Sequence, residues 1–231
     1  MGLENSNAAT ALASPLGEDG WQTGLHWGTA AQAAGLAGQL AGRGEVVPRP
    51  YETLPEISVL VRAPAIVAAV ADVIGPEIAL EGGFLLSKPP GGDFRVPWHQ
   101  DGVNDRIELD PTRSVTVWAA LTDATAASGA LEVVPGSWRA GYLPYRREDT
   151  TGGQRGRALH TDVPPDSPDP VLVPVNAGQA LLMDVRLLHR SGSNTTSGHR
   201  VGLNLRYVAP GAVTIRSGPS PSLHPVAGAS W

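Results

Sequence analysis

The hydrophobic periodicity changes near residue 78, and this change limits the possible folds more than any other feature of the sequence. Two helical patterns come before it, Ala-rich residues 29–42 and residues 64–74, which Gly44 and Gly75 follow as stop signals. After it come eight short β-prone segments bounded by Gly, Pro or Asp, at 78–87, 94–100, 114–122, 131–134, 171–175, 180–185, 201–208 and 212–215. Strands gathered behind two helices predict an all-β core with flanking helices, a double-sheet jelly roll rather than alternating βαβ units.

The length and composition suit one domain. A chain of 231 residues with 42% hydrophobic residues can bury a full-sized core, and 28 Gly with 21 Pro fit many turns between short strands. We predict a flexible arm over residues 1–20 and a single domain over 21–231. Residues 139–170 interrupt the strand pattern with arginines and a Pro/Asp run, and we interpret them as a lid-like loop over one mouth of the barrel.

Charge and cysteine content exclude several classes of function. The net charge of −5 argues against nucleic acid as a partner, and the absence of Cys excludes disulfides and thiolate zinc sites. No apolar run approaches the ~20 residues of a membrane span, and the N-terminus does not resemble a signal peptide. The start Met1-Gly2-Leu3-Glu4-Asn5-Ser6 matches the short myristoylation pattern, but the Arg-, Ala- and Gly-rich composition is typical of bacteria. We expect a cytoplasmic protein, and the sequence does not predict its oligomeric state.

One pair of residues predicts a metal site. Alternate side chains of a strand lie on one face, so His99 and Asp101 can hold one cation together, and His189 on a neighbouring strand would complete the group. Two imidazoles and one carboxylate form the facial triad of non-heme Fe(II) oxygenases. A second His-x-Asp pair, His160 and Asp162, lies in the polar loop, where alternation cannot be assumed. The alternative for the first pair is a hydrogen bond at a strand edge.

Arg200 adds a second feature. A Gly/Ser/Asn-rich turn after His189 would return the chain so that Arg200 lies near it, where a guanidinium can bind a carboxylate through two hydrogen bonds. The alternative is a surface salt bridge at a strand start. From the residues alone, three other kinds of protein remain possible. They are a non-catalytic cupin-like protein that binds a metal or small ligand, a zinc hydrolase, and a structural β-sandwich.

Four motifs in order closely resemble the phytanoyl-CoA dioxygenase family. They are Trp98-His99-Gln100-Asp101, residues 117–125 (VWAALTDAT), residues 128–138 (SGALEVVPGSW), and residues 189–194 (HRSGSN) with Arg200. The resemblance covers about residues 78–208. It implies an Fe(II)- and 2-oxoglutarate-dependent oxygenase on a cupin-like double-stranded β-helix, which uses O2 and acts on a small molecule.

The resemblance also implies roles for individual residues. His99, Asp101 and His189 correspond to the iron ligands and so to the catalytic centre. Arg200 corresponds to the residue that holds the distal carboxylate of 2-oxoglutarate, with Ser191 as its hydroxyl companion. Two aromatic residues, Trp118 and Phe84, fall where the family lines the same pocket, although both are also compatible with an ordinary core. Gln100 faces away from the ligands and is not expected to bind the metal.

Substrate and outcome are less constrained. The implied reaction oxidises an unactivated C–H bond, by hydroxylation, desaturation or oxidative cyclisation, and the presence of Asp101 argues against halogenation. The short region before residue 78 disfavours the cavity that a long acyl-CoA needs. Because compact family members from antibiotic-producing bacteria are similar in size, we expect a small polar natural product, with a sugar-containing intermediate as the narrower expectation. Loop residues expected to meet it, each of which also suits an ordinary loop, are Trp138, Arg139, Tyr142, Tyr145 and His160.

Overall fold

The structure is a computed structural model that describes residues 16–147 and 159–231. Its helices are α1 (Ala30–Leu40), α2 (Pro50–Thr53), α3 (Pro55–Leu60) and α4 (Pro64–Ile74), with 3₁₀ turns at Ala41–Arg43 and Ser137–Ala140. Its strands are β1 (Trp21–His26), β2 (Val46–Pro48), β3 (Ile78–Lys88), β4 (Val96–His99), β5 (Ile107–Leu109), β6 (Ser114–Ala120), β7 (Leu131–Val133), β8 (Tyr145–Arg147), β9 (Leu159–Thr161), β10 (Val171–Val173), β11 (Gln179–Met183), β12 (His189–Ser191), β13 (Arg200–Val208), β14 (Val213–Ile215) and β15 (His224–Ala227).

Two antiparallel sheets face each other. The larger sheet has the order β1-β11-β6-β13-β3-β15, with β2 paired to the other end of β3, and the smaller has the order β10-β7-β12-β4. Trp118 and Leu181 of the larger sheet and Leu131 and Val173 of the smaller one belong to one buried cluster between them. The predicted all-β core with flanking helices, a double-stranded β-helix of jelly-roll type, is therefore confirmed.

Strands β6 and β13 at the centre of the larger sheet are buried on both faces. On β13 the odd-numbered Val201, Leu203, Leu205 and Tyr207 belong to the main core, which lies under the helices. The even-numbered residues of β13 face the smaller sheet, because alternate side chains of a strand point to opposite sides. Polar groups that the sequence embeds in a hydrophobic strand are thus directed to the space between the sheets.

The helices close the outer face of the larger sheet. Both predicted helices are present. Helix α1 begins after Thr29, whose hydroxyl accepts a hydrogen bond from the backbone N–H of Gln32. Helix α4 begins at Pro64 and ends before Gly75. Ile66 of α4 is fully buried in the main core. Burial of an aliphatic side chain of this size contributes about 1.5–3 kcal/mol, so the helices stabilise the sheet that carries the polar face.

The structure differs in part from the expectation for the flexible arm and for the lid-like loop. Residues 1–15 of the arm lie outside the described residues, whereas residues 16–20 form a turn in which Leu16 is only 3% exposed. Residues 139–170 are not a continuous loop, because β8 and β9 pair within them; residues 148–158 lie outside the described part. Among the described helices, none has the length and apolar character needed to cross a bilayer.

Two short helices and seven of the described strands lie outside the predicted segments, and four of those strands, β5, β8, β9 and β12, span only three residues each. Strands β1, β2 and β15 are edge strands, and their partly exposed residues give no continuous hydrophobic run. The helices α2 and α3 each begin with a proline and span only four and six residues, too few to show a helical period. The edge strands lengthen the larger sheet without adding a residue to the metal group described below.

Candidate metal centre

His99, Asp101 and His189 converge between the two sheets. His99 ends β4, His189 begins β12, and the two are register partners, while Asp101 lies in the turn that follows β4. The distance from His99 Nε2 to Asp101 Oδ1 is 3.5 Å, and from His189 Nε2 to Asp101 Oδ2 it is 3.7 Å. One ligand atom from each residue lies within 4.8 Å of the others, and all three residues are buried. No other group of three or more such residues occurs in the described part of the chain.

Backbone carbonyls orient both imidazole rings. His99 Nδ1 lies 2.8 Å from the carbonyl oxygen of Pro97, and His189 Nδ1 lies 2.9 Å from that of Leu187. A hydrogen bond from Nδ1–H fixes the tautomer, so that the lone pair is on Nε2, the nitrogen that faces Asp101. Both rings are therefore oriented with Nε2 toward the position that a metal would take.

The Asp101 carboxylate is held by the larger sheet. Its Oδ2 accepts hydrogen bonds from Thr116 Oγ1 on β6 at 3.0 Å and from Asn204 Nδ2 on β13 at 2.9 Å. Hydrogen bonds of this kind fix a ligating carboxylate and are part of the design of a metal site. Gln100 points the other way and bonds the carbonyls of Gly141 and Arg186, so it supports the turn and is remote from the metal group.

The three residues open onto a cavity of about 270 Å³ between the sheets. Apart from the metal group, its walls are mostly apolar, with a few polar side chains from β12 and β13. The lining residues are Val46, Phe84, Leu86, Val96, Asn104, Trp118, Leu131, Leu159, Ser191, Arg200, Asn204 and Arg206. Few convergent polar groups in an apolar cavity are typical of small-molecule sites.

Arg200 is a buried cation whose guanidinium has no hydrogen-bond partner in the described part of the chain. Its side chain is 1% exposed, and none of its three guanidinium nitrogens has a hydrogen-bond partner in residues 16–147 and 159–231. The guanidinium carbon lies 4.4 Å from the centre of the Trp118 ring. Burial lowers the pKa of Arg200 to about 9. Since a buried charge is costly unless it is paired, this arginine has the chemistry to bind an anion.

Lys88 is a second buried basic side chain at the same place, and the sequence analysis did not identify it. It is fully buried, it is the register partner of Arg200, and its ammonium group donates to Ser191 Oγ at 2.8 Å and to the Gly192 carbonyl. Burial, and secondarily the charge of Arg200, lower the pKa of Lys88 to about 6. The sequence does contain a feature that could have identified it, because Lys88 is the only lysine in the chain and lies at the end of a hydrophobic strand.

Strand β13 carries two further polar residues that sequence reasoning missed. Asn204 and Arg206 follow Arg200 at even positions and line the cavity. Arg206 Nε donates to Glu81 Oε2 at 2.7 Å. The sequence feature that could have identified them is the alternation from 200 to 207, in which every second residue is polar or Gly and the others are hydrophobic.

Four residues expected near the cosubstrate all line the cavity. Trp118 and Arg200 stack on each other, and Ser191 contacts Lys88 rather than Arg200. Phe84 lies at the other end, beside Arg206. The structure thus brings these residues to the metal group, while separating Phe84 from the two buried basic side chains.

The five residues expected to meet the substrate do not line this cavity within the described part of the chain. Trp138 is 5% exposed and donates from Nε1 to the Glu18 carbonyl, and the exposed Arg139 lies over its ring. Tyr142 donates to the Leu109 carbonyl at 2.6 Å. These aromatic residues anchor the turn at residues 16–20 and the segment after β5, so their contacts are structural.

Tyr145 and His160 belong to the strand pair β8–β9. Arg216 lies over the Tyr145 ring, and His160 faces a separate surface groove with Trp98 and Arg190. The second His-x-Asp pair stays at the surface, where Asp162 bonds Arg146. Of the described residues in β8 and β9, the apolar Leu159 is the one that lines the cavity.

Comparison with known proteins agrees with this geometry. The family model described as phytanoyl-CoA dioxygenase matches residues 32–202. A probable phytanoyl-CoA dioxygenase of Caenorhabditis elegans is 31% identical in an alignment of 155 positions that covers 62% of this chain and 48% of that protein. The chain thus spans about half the length of the curated relatives that it matches.

Solved structures extend the similarity to nearly the whole chain. The non-heme monooxygenase ThoJ in its apo form superposes with a TM-score of 0.78 and 26% identity, covering 94% of this chain and 84% of ThoJ. EvdO2 from Micromonospora carbonacea var. aurantiaca gives a TM-score of 0.68 and 25% identity, covering 88% of this chain and 91% of EvdO2. EvdO2 is also known in a complex with 2-oxoglutarate.

Proposed function

This chain belongs to the phytanoyl-CoA dioxygenase family, and we propose that it is an Fe(II)- and 2-oxoglutarate-dependent dioxygenase that oxidises an unactivated C–H bond of a small natural product. The observation that carries the proposal is a single cavity with two complementary features. The His99, Asp101 and His189 group lines it, and the unpartnered guanidinium of Arg200 lines it as well.

The residues fit iron better than the alternatives. Two neutral imidazoles and one carboxylate on one side of a cation leave positions open for a chelating ligand and O2, as in non-heme Fe(II) oxygenases. A zinc hydrolase would use a similar ligand set but has no use for a buried arginine that lacks an anion. Fe(II) bound with 2-oxoglutarate and O2 supplies an oxidant strong enough to break a C–H bond.

The chain's own residues would bind the cosubstrate by charge. Arg200 offers three unsatisfied donors, and Lys88 and Ser191 add an ammonium and a hydroxyl at the same end of the site. A dicarboxylate that reaches from there to the metal group would satisfy the buried cations at one end and ligate the metal at the other. The Trp118 face would keep water from this end, since its ring covers the Arg200 guanidinium.

The walls favour a hydrocarbon part of the substrate at the reacting position. Leu86, Val96, Leu131 and Leu159 line the cavity, and a volume of about 270 Å³ suits a compact group. A sugar-containing substrate stays the narrower prediction, with the sugar outside the apolar inner part. Hydroxylation, desaturation and oxidative cyclisation stay open as outcomes, because the choice depends on the position of the substrate carbon.

Anaerobic titration tests the proposal. We expect the purified protein to bind one Fe(II), and the iron-loaded protein to bind 2-oxoglutarate with the visible charge-transfer absorption of a metal chelate. Asp101→Ala should lose iron retention while staying folded by circular dichroism, and Arg200→Gln should keep iron but bind 2-oxoglutarate at least tenfold more weakly.

The exposed Arg43→Gln serves as a charge-matched control that should change neither affinity. Oxygen uptake with release of succinate then separates an oxygenase from a binding protein without turnover. Preferential binding of Zn(II) without any 2-oxoglutarate binding would overturn the proposal.

A further inference from the structure

The cavity continues past the metal group to a second arginine. Arg206 is opposite Thr116 in the β13–β6 register, and Thr116 is a donor to Asp101. Asn204, the other donor, is two residues before Arg206 on the same strand face. Since two residues advance a strand by about 6.6–7 Å, Arg206 lies beyond Asp101 on the side away from Arg200. The two arginines thus bracket the metal group along one strand.

The guanidinium of Arg206 is fixed by the residues beneath it. Its Nε donates to Glu81 Oε2, and its central carbon lies 5.6 Å from the centre of the Phe84 ring. Gly82 gives it room, since a Cβ on Gly82 would lie 2.2 Å from Arg206 Nη2. Arg206 and Glu81 are 7% and 8% exposed. The pair is therefore rigid and almost fully withdrawn from solvent.

Two donors of Arg206 remain for a ligand. Within residues 16–147 and 159–231 only Nε has a hydrogen-bond partner, and, unlike Arg200, Arg206 has no nitrogen that is both sealed from solvent and unbonded. The terminal nitrogens therefore face the open space of the cavity that Arg206 lines. An arginine fixed at Nε with both Nη groups available matches a carboxylate, which accepts two parallel hydrogen bonds.

We propose that Arg206 is a substrate-binding residue that selects molecules with a carboxylate on a compact hydrocarbon body. The inference rests on the proposed function, because it assigns substrate binding to the part of the same cavity that 2-oxoglutarate would leave free. The carboxylates nearest to this position are already hydrogen-bonded, Asp101 by Thr116 and Asn204 and Glu81 by Arg206 itself. A ligand carboxylate here meets the Nη donors of Arg206 beside apolar walls, and it competes with the attraction that Glu81 and Asp101 exert on this guanidinium.

A pair of probes that differ in charge tests this assignment. Protein loaded with Mn(II) and saturated with 2-oxoglutarate is titrated under anaerobic conditions with cyclohexanecarboxylate and with cyclohexanecarboxamide. Calorimetry gives the affinities, and broadening of the probe's proton signals by Mn(II) shows that the probe is near the metal. We expect the carboxylate to be broadened and to bind at least tenfold more tightly than the amide.

The variants separate charge recognition from folding. Arg206→Gln leaves Glu81 buried without its partner, so the double variant Glu81→Gln with Arg206→Gln keeps a neutral hydrogen-bonding pair in the same space. We expect this variant to lose the preference for the carboxylate while binding Mn(II) and 2-oxoglutarate as the wild type does. Arg43→Gln should keep the preference.

Three results would overturn the inference: equal affinity for both probes, an unchanged preference in the double variant, or no binding of the carboxylate. The proposed function fails separately, since its failure appears as lost binding of Mn(II) or 2-oxoglutarate before any probe is added.

Discussion

Lys88 and Arg200 stand opposite each other on neighbouring strands, and neither has an ion-pair partner in the described part of the chain. Burial makes a charge costly and two like charges directly across a sheet repel each other, so the pKa of Lys88 is lowered to about 6 and its amine is neutral above that pH in the free site. Such a pair persists in a folded protein when the surroundings hold it in place for an anion. The chain therefore carries an electropositive site at one end of its cavity, prepared before the ligand arrives.

Binding of 2-oxoglutarate should depend on pH through Lys88. Its pKa is lowered to about 6 in the free site, and a carboxylate beside it would raise that pKa, so binding above pH 6 takes up a proton. Affinity should therefore fall as pH rises from 6.5 to 8.5, by at most about tenfold per pH unit. Calorimetry on the Mn(II)-loaded protein in two buffers of different ionisation enthalpy measures the proton uptake. Lys88→Met should abolish it, and an equal uptake in this variant would contradict the prediction.

The donors to Asp101 should control metal affinity without being ligands. Thr116→Val and Asn204→Ala each remove one hydrogen bond to Oδ2, and loss of such a contact typically weakens metal binding by about 10–100-fold. Titration with Mn(II) followed by electron paramagnetic resonance gives the dissociation constants. Thr214→Val, at an exposed position of β14, is the matched control. If the Asp101 donors could be removed without any change in affinity, the carboxylate would be positioned by other contacts.

Gly202 should tolerate no side chain. A Cβ at this position would lie 2.4 Å from Trp118 Cζ2, so Gly202→Ala must displace the ring that covers Arg200. We expect a loss of about 1–3 kcal/mol in the free energy of unfolding, as for other overpacked cores, together with weaker 2-oxoglutarate binding. Urea denaturation and calorimetry measure the two effects. Gly198→Ala, where an added Cβ meets nothing within 4 Å, is the control.

Trp138 should matter for stability and not for ligand binding. Trp138→Phe removes the hydrogen bond to the Glu18 carbonyl and should lower the free energy of unfolding by about 0.5–1.5 kcal/mol, because one partly buried hydrogen bond is lost. The affinities for Mn(II) and 2-oxoglutarate should stay within twofold of the wild type. A large loss of either affinity, with little change in stability, would show that Trp138 contributes to ligand binding and would contradict the prediction.

The sequence predicted the parts of the fold that have a strong period. The two longer helices and the central strands follow from regular spacing, and the residues of the metal group follow from motifs whose geometry is local, such as His99 and Asp101. Edge strands β1, β2 and β15 were missed because partly exposed residues produce no alternation.

The substrate side could not be predicted for a different reason. Trp138 and Tyr142 have the chemistry of ligand-binding residues, but where their polar atoms bond depends on segments distant in sequence, at Glu18 and Leu109. Conversely, Lys88 ends one hydrophobic strand and Arg206 lies inside another, and neither charge indicates a ligand until its partners across the sheet are known.

Strand β13 uses its two sides for different purposes, aliphatic residues toward the helices and polar residues toward the cavity. Because side chains alternate with a period of two, a slip of one residue against β3 or β6 would exchange these sides completely. Arg200, Asn204 and Arg206 would then be forced among aliphatic neighbours, and three hydrophobic residues would fill the ligand space. A misregistered folding intermediate is thus unstable and also lacks the ligand-binding residues. The chain forms its binding cavity only when β13 pairs in the correct register.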